Sequence, residues 1–320
     1  MPDITVHNAM GDSVLNRLPE EIADEIRGES NAFHVGVLGP DPFFFYRFFL
    51  PPFRNGVDQR GTIMHHEKCR EFLMEMTRRF CSPEEKNHRQ FAYLAGFLCH
   101  YALDSTVHPY INMLAARRVG MHTAVERKLD RIALKRSGRN RNDIMKLVVP
   151  FPEIPELRSS MKAVYGWDDD LFRDGYRHMK GFLWFVKDDK GILDKVTGSL
   201  PIKPVILAAD TLKKIAERHV DPDYKKKIIA GIPVKIPTHG LPGLFAKITG
   251  KNYARLAAFP YSNHFCDDME MKDFDRFEEL SEEYAVKLIT AAYDYRAGRA
   301  GEDDLAELIG DRDYSGTVIG

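Results

Sequence analysis

Apolar side chains recur every three or four positions along most of this chain, and that spacing predicts helices. The stretches EEIADEIR (20–27), EKCREFLMEMTRRF (67–80), RQFAYLAGFLCHYALDS (89–105), AVERKLDRIALKR (124–136) and FEELSEEYAVKLITAAYDYRAGR (277–299) all carry it. Alternation suited to strands is scarce. The two best candidates, KLVVPF (146–151) and KIIAGIPVKIP (227–237), are both interrupted by proline, which removes a donor from a β-ladder. The pattern therefore predicts an all-α protein. Between Leu200 and Lys251 proline, glycine and lysine thicken, and such punctuation predicts a long irregular excursion between helices. Within it, DYKKKI reads as a solvated face. No repeat and no composition break divides the chain, so a single helical domain over 1–320 is expected.

Composition narrows the class without naming a chemistry. The 320 residues are 44% hydrophobic and 29% charged, with a formal net charge of -1. That suits a globular core and gives no global electrostatic attraction to nucleic acid or anionic membranes. Four scattered cysteines without a CxxC pair read as reduced thiols. The opening residues lack a basic segment followed by an apolar one, and no apolar run reaches the roughly 20 residues of a membrane span. A cytoplasmic location is the expectation.

The apolar helix FLCHYALDSTVHPYI (97–111) carries three polar residues of a kind that bind metals: His100, Asp104 and His108. Residues four apart on a helix advance about 400°, one turn plus 40°, so they share a face and can converge on one cation. Pro109 disfavours helical geometry at the residue before it, so His108 is expected at the helix end, aimed at a neighbouring site. Core histidines with a capping aspartate fit this helix equally well. His122 and Glu126 repeat the spacing on the next predicted helix, with Asp130 one turn on. Ion pairs on a solvated face would explain those residues too. His7 opens the first predicted helix, Asp41 lies in a Gly/Pro turn that ends a helix, and His65 and His66 begin the helix MHHEKCREFL. A His/Asp/Glu set without cysteine suits catalytic rather than structural zinc. His34, His88, His178, His219, His239 and His264 have no partner at ligand spacing and read as structural or surface residues.

Taken in order, His7, Gly39–Asp41, Met64–Lys68, Cys99–Pro109 and His122–Glu126 resemble the zinc-dependent phospholipase C family over roughly residues 1–130. The resemblance implies the all-helical fold and metal cluster shared with S1/P1-type nucleases. It implies that Asp41, His65, His100 and Asp104 surround a bridged zinc pair, with Asp104 as the bridge. His7 would join Asp104 and Asp41 at the second ion of the pair; His108, His122 and Glu126 would hold a third. His65 is preferred to His66 because His65-His66-Glu67 supplies the H-x-E of the family. The chain departs from the family pattern in two places. It begins Met1-Pro2 where secreted members offer a processed tryptophan amine, and Asp104 and His108 stand closer together than in those members. Two or three zinc ions, or another divalent metal, are therefore expected. The implied activity is hydrolysis of a phospholipid or another phosphodiester by a metal-activated water, with Asp41 as general base. Pro42 stands where choline-selective relatives place an aromatic residue, so choline preference does not carry over. The FFFYRFF run (43–49) is read as core first and as an apolar mouth second. An S1/P1-like nuclease or other phosphoesterase, and a non-catalytic metal-binding helical protein, are the rival classes; stable nucleic-acid binding is not expected.

Overall fold

The computed structural model describes residues 4–47, 54–82, 87–115, 148–187 and 272–318, together with positions 125, 126, 129, 132, 133 and 135–138. Helices dominate, and no strand forms among the described residues; one isolated bridge joins Arg312 and Val318. KLVVPF accordingly forms no strand where it is described, while KIIAGIPVKIP and the whole 200–251 stretch lie outside the described residues.

The helices are α1 (Ile4–Arg17), α2 (Glu20–Gly28), α3 (Ser30–Gly36), α4 (Pro42–Phe45), α5 (Val57–His66), α6 (Cys69–Phe80), α7 (His88–Ala115), α8 (Pro155–Tyr165), α9 (Leu171–Lys187), α10 (Lys272–Arg296) and α11 (Glu302–Ile309). The axis of the molecule is α7. Every residue from Gln90 to Ser105 is buried, because this helix is apolar on all sides. It is flanked by α1, α2, α3, α6 and α10, and the shared core runs from Ile4 to Tyr314. Phe43 and Tyr46 of the aromatic run are buried, Phe43 edge-on to Trp167 and Phe172. Phe44 and Phe45 are half-buried, and Phe48 and Phe49 lie outside the described residues.

Two glycines decide how closely α3 meets α7. A Cβ on Gly36 would lie 2.1 Å from the Tyr93 carbonyl, and one on Gly96 would lie 2.1 Å from the Phe33 carbonyl. The backbones touch here, and this contact holds the Gly39–Asp41 turn, at the exit of α3, against the middle of α7.

Two sequence expectations change. His65 and His66 do not begin a helix; they end α5. Glu67 is extended and Lys68 takes a left-handed conformation (φ 54°), which breaks MHHEKCREFL before α6 starts at Cys69. Likewise α7 does not stop at His108 but continues through Pro109 to Ala115. Packing of α7 against its neighbouring helices overrides the proline preference, so His108 stays on the same helical face as His100 and Asp104.

Candidate metal centre

Five separate segments deliver polar side chains to one buried point. The first is α1, whose His7 is 1% exposed. The second is the turn after α3, where Gly39 takes a left-handed φ of 51° and a Cβ would strike the His100 ring at 2.2 Å. Only glycine lets the turn pass over that ring and leave Asp41 beside it. The third is the end of α5, carrying His65. The fourth is α7, carrying His100, Asp104 and His108 on successive turns. The fifth is the helical stretch that includes Val125, Glu126 and Leu129.

Asp104, fully buried, lies at the middle. Its Oδ2 is 3.3 Å from His100 Nε2 and 3.6 Å from His65 Nε2. Its Oδ1 is 3.5 Å from His7 Nε2 and 3.8 Å from His108 Nε2. Asp41 Oδ1 is 3.4 Å from His65 Nε2, and Glu126 Oε1 is 3.7 Å from His108 Nε2. The His7 and His100 rings stack with centroids 4.1 Å apart. Two overlapping groups keep their donor atoms within 4.8 Å of one another: His7 with Asp41 and His100, and His65 with His100 and Asp104. His100 is common to both.

Backbone carbonyls orient the rings. His65 Nδ1 donates to the Gly61 carbonyl (2.6 Å), His100 Nδ1 to Val37 (3.1 Å) and His108 Nδ1 to Tyr314 (2.9 Å). A carbonyl only accepts, so each Nδ1 carries the proton and each Nε2 turns toward Asp104, the arrangement that suits a metal-ligating imidazole. The charges respond to one another. Burial, then the neighbouring His100, pushes His7 down to about 3, keeping it neutral. Burial alone would depress His65, but Asp104 and Asp41 raise it to about 9. Burial opposes ionisation of Asp104 too, and the surrounding His108 and His100 outweigh it, holding the carboxyl well below its ordinary range.

The donors are without hydrogen-bond partners where they face inward. Among the described residues, both nitrogens of His7, Nε2 of His65 and of His100, Oδ1 of Asp41 and both oxygens of Asp104 are buried and find no hydrogen-bond partner. Buried polar groups left so are costly, several kcal/mol where a charge is involved. A divalent cation meets that need, and nitrogen and oxygen donors without sulfur fit catalytic zinc. The thiols of Cys69 and Cys81 do not compete. Burial pushes Cys69 and Cys81 up to about 12, so both stay protonated.

Residues 6–176 match the sequence model of the zinc-dependent phospholipase C family. The chain belongs to that family. The match covers more than half of the 320 residues and runs past the ligand-like positions into α9. No curated protein and no solved structure matches the chain.

In this phospholipase C-family chain, seven of the eight residues expected from the sequence converge: His7, Asp41, His65, His100, Asp104, His108 and Glu126. His122 and Asp130 lie outside the described residues. His65 faces the cluster, whereas His66 is half exposed and bonds Asp313 instead (2.8 Å). Of the histidines set aside, His34 bonds Asn8, His88 pairs with Glu25 and His178 Nδ1 accepts from the Arg47 amide. His219, His239 and His264 lie outside the described residues. The carbonyl partners Gly61, Val37 and Tyr314 were not legible in the sequence, because backbone acceptors leave no residue-type signal. Among the described residues no helix is long and apolar enough to cross a membrane.

Proposed function

We propose that this chain is a metal-dependent phosphodiester hydrolase acting on a phospholipid or similar ester. The observation that carries this reading is the central carboxylate of Asp104, buried, with no hydrogen bond among the described residues and four imidazole Nε2 atoms within 3.8 Å of it. In this reading His7, Asp41, His65, His100, Asp104, His108, His122 and Glu126 would hold two or three zinc ions, with Asp104 as the central ligand. When bound, zinc neutralises phosphate charge and brings the pKa of a ligated water to about 7.

The chain's own contribution is positional and acid–base. The carbonyls of Gly61, Val37 and Tyr314 hold three rings in the tautomer that presents Nε2 inward. Asp41, 3.4 Å from His65, is the carboxylate that takes the proton from the attacking water. Phe44, half-buried with its ring 5.4 Å from that of His65, is the apolar side chain that would meet an acyl-bearing substrate beside the cluster.

The test is zinc content by elemental analysis, paired with hydrolysis of bis(nitrophenyl) phosphate and of phospholipid vesicles before and after chelation. Hydrolysis should vanish on chelation and return with zinc, and Asp41→Asn should lower it about 10²–10⁴-fold, the range of a general base. Bound zinc without turnover would leave a non-catalytic metal protein. Release of nucleotides from single-stranded nucleic acid, with vesicles untouched, would move the substrate to the nuclease class.

A further inference from the structure

The segment that comes after α11 lies well beyond residues 6–176, yet it reaches the metal centre. Tyr314 is 1% exposed, and its peptide groups touch two of the candidate ligands. Its amide donates to the His65 carbonyl (2.9 Å), and its carbonyl accepts from His108 Nδ1 (2.9 Å). One residue thereby ties the end of α5 to the His108 turn of α7, across more than 200 positions of sequence.

The loop carrying Tyr314 is built to stay there. Asp313 Oδ1 accepts from the Ser315 amide (2.9 Å), the Ser315 hydroxyl (2.7 Å) and the Thr317 amide (2.8 Å), closing a tight turn. Asp313 Oδ2 bonds His66 Nδ1 (2.8 Å), fastening that turn to the last residue of α5. Gly316, at φ 75°, presses against α7 so closely that a Cβ would lie 2.6 Å from the Ser105 carbonyl. Pro109, four residues beyond Ser105, has no amide hydrogen to give that carbonyl, so the loop packs where the helical ladder is interrupted. The adjacent histidines at the end of α5 thus divide two tasks: His65 faces Asp104, and His66 fastens the loop.

We propose that the loop 311–318 is a positioning element of the metal centre, in which Asp313, anchored by His66, holds the Tyr314 carbonyl that orients His108. Partners of this kind fix the tautomer and ring orientation of a ligand histidine, and their loss weakens metal affinity by roughly 10–100-fold. The inference rests on the metal-centre reading above.

The test titrates zinc into the metal-free full chain against a chromophoric chelator, alongside thermal melts of the same metal-free samples. Asp313→Ala should weaken the weakest-bound zinc by roughly 10–100-fold while the metal-free melting temperature moves by only a few degrees. Asp313→Asn keeps an oxygen for the Ser315 and Thr317 amides and should recover most of the affinity. His66→Ala removes the anchor from outside the loop and leaves every turn bond in place. It should weaken the same zinc, and it decides the matter if Asp313→Ala does not fold. Wild-type affinity in His66→Ala and in any folded Asp313→Ala overturns the proposal and leaves the metal centre standing. Equal losses in Asp313→Ala and Asp313→Asn overturn it as well. Wild-type protein that binds no zinc overturns both.

Discussion

His65 and His7 face the same carboxylate, yet their surroundings drive them in opposite directions. His7 meets stacked imidazole and burial and stays neutral, whereas His65 lies between two carboxylates and holds its proton up to about 9. The consequence shows in the metal-free protein. A histidine whose folded value exceeds its ordinary 6.5 contributes stability that is complete below 6.5 and is lost as pH rises toward 9. His108, also raised, acts with the same sign. His7, lowered, adds nothing in that window, because folded and unfolded forms are both neutral there. Melting temperature of the metal-free protein should therefore fall between pH 6.5 and 9, by the equivalent of about 3 kcal/mol for His65. Asp41→Asn should flatten that fall, because it removes one of the two carboxylates that hold the proton. A flat profile in the wild type would contradict the His65 environment.

At the level of elements, the crossing of α3 on α7 sets half of the site. Backbone contact through Gly36 and Gly96 sets the Gly39–Asp41 turn over His100, and the Val37 carbonyl at the same junction accepts from that ring. Gly96→Ala would place a methyl group 2.1 Å from the Phe33 carbonyl, where only backbone movement gives relief. The expected cost is about 2–3 kcal/mol, read as a lower denaturant midpoint with an unchanged m-value. Zinc affinity should fall along with it, because Asp41 and His100 would part. The apolar periodicity made α2, α6, α7 and α10 legible, since each buries one face or, for α7 between Gln90 and Ser105, every residue. The end of α5 was not legible. MHHEKCREFL keeps helical residue types across a break that a left-handed Lys68 imposes.

Across the whole molecule, the proposed ligands arrive from α1, the turn after α3, α5, α7 and the stretch around Glu126, so they meet only when those parts are packed together. Zinc then binds the folded state and not the unfolded chain, and its binding energy adds to folding. Free zinc at 100 times its dissociation constant should stabilise the protein by about 2.7 kcal/mol. Calorimetry before and after chelation should show a melting temperature that drops and recovers with added zinc, and an unchanged transition would count against a shared buried centre.

The residue types and their four-residue spacing on α7 were enough to nominate His100, Asp104 and His108, because helical periodicity is a local property of the chain. The ordered motifs extended that to His7, Asp41, His65 and Glu126. Two matters rested on packing between distant segments: the partner that His66 takes in place of the cluster, and the carbonyl that holds His108. His65 turns inward because α5 ends against the cluster, and His66 turns outward to Asp313, 247 positions away. Which way a ring points depends on the acceptor that tertiary contact brings to its Nδ1, and a backbone carbonyl is present at every residue.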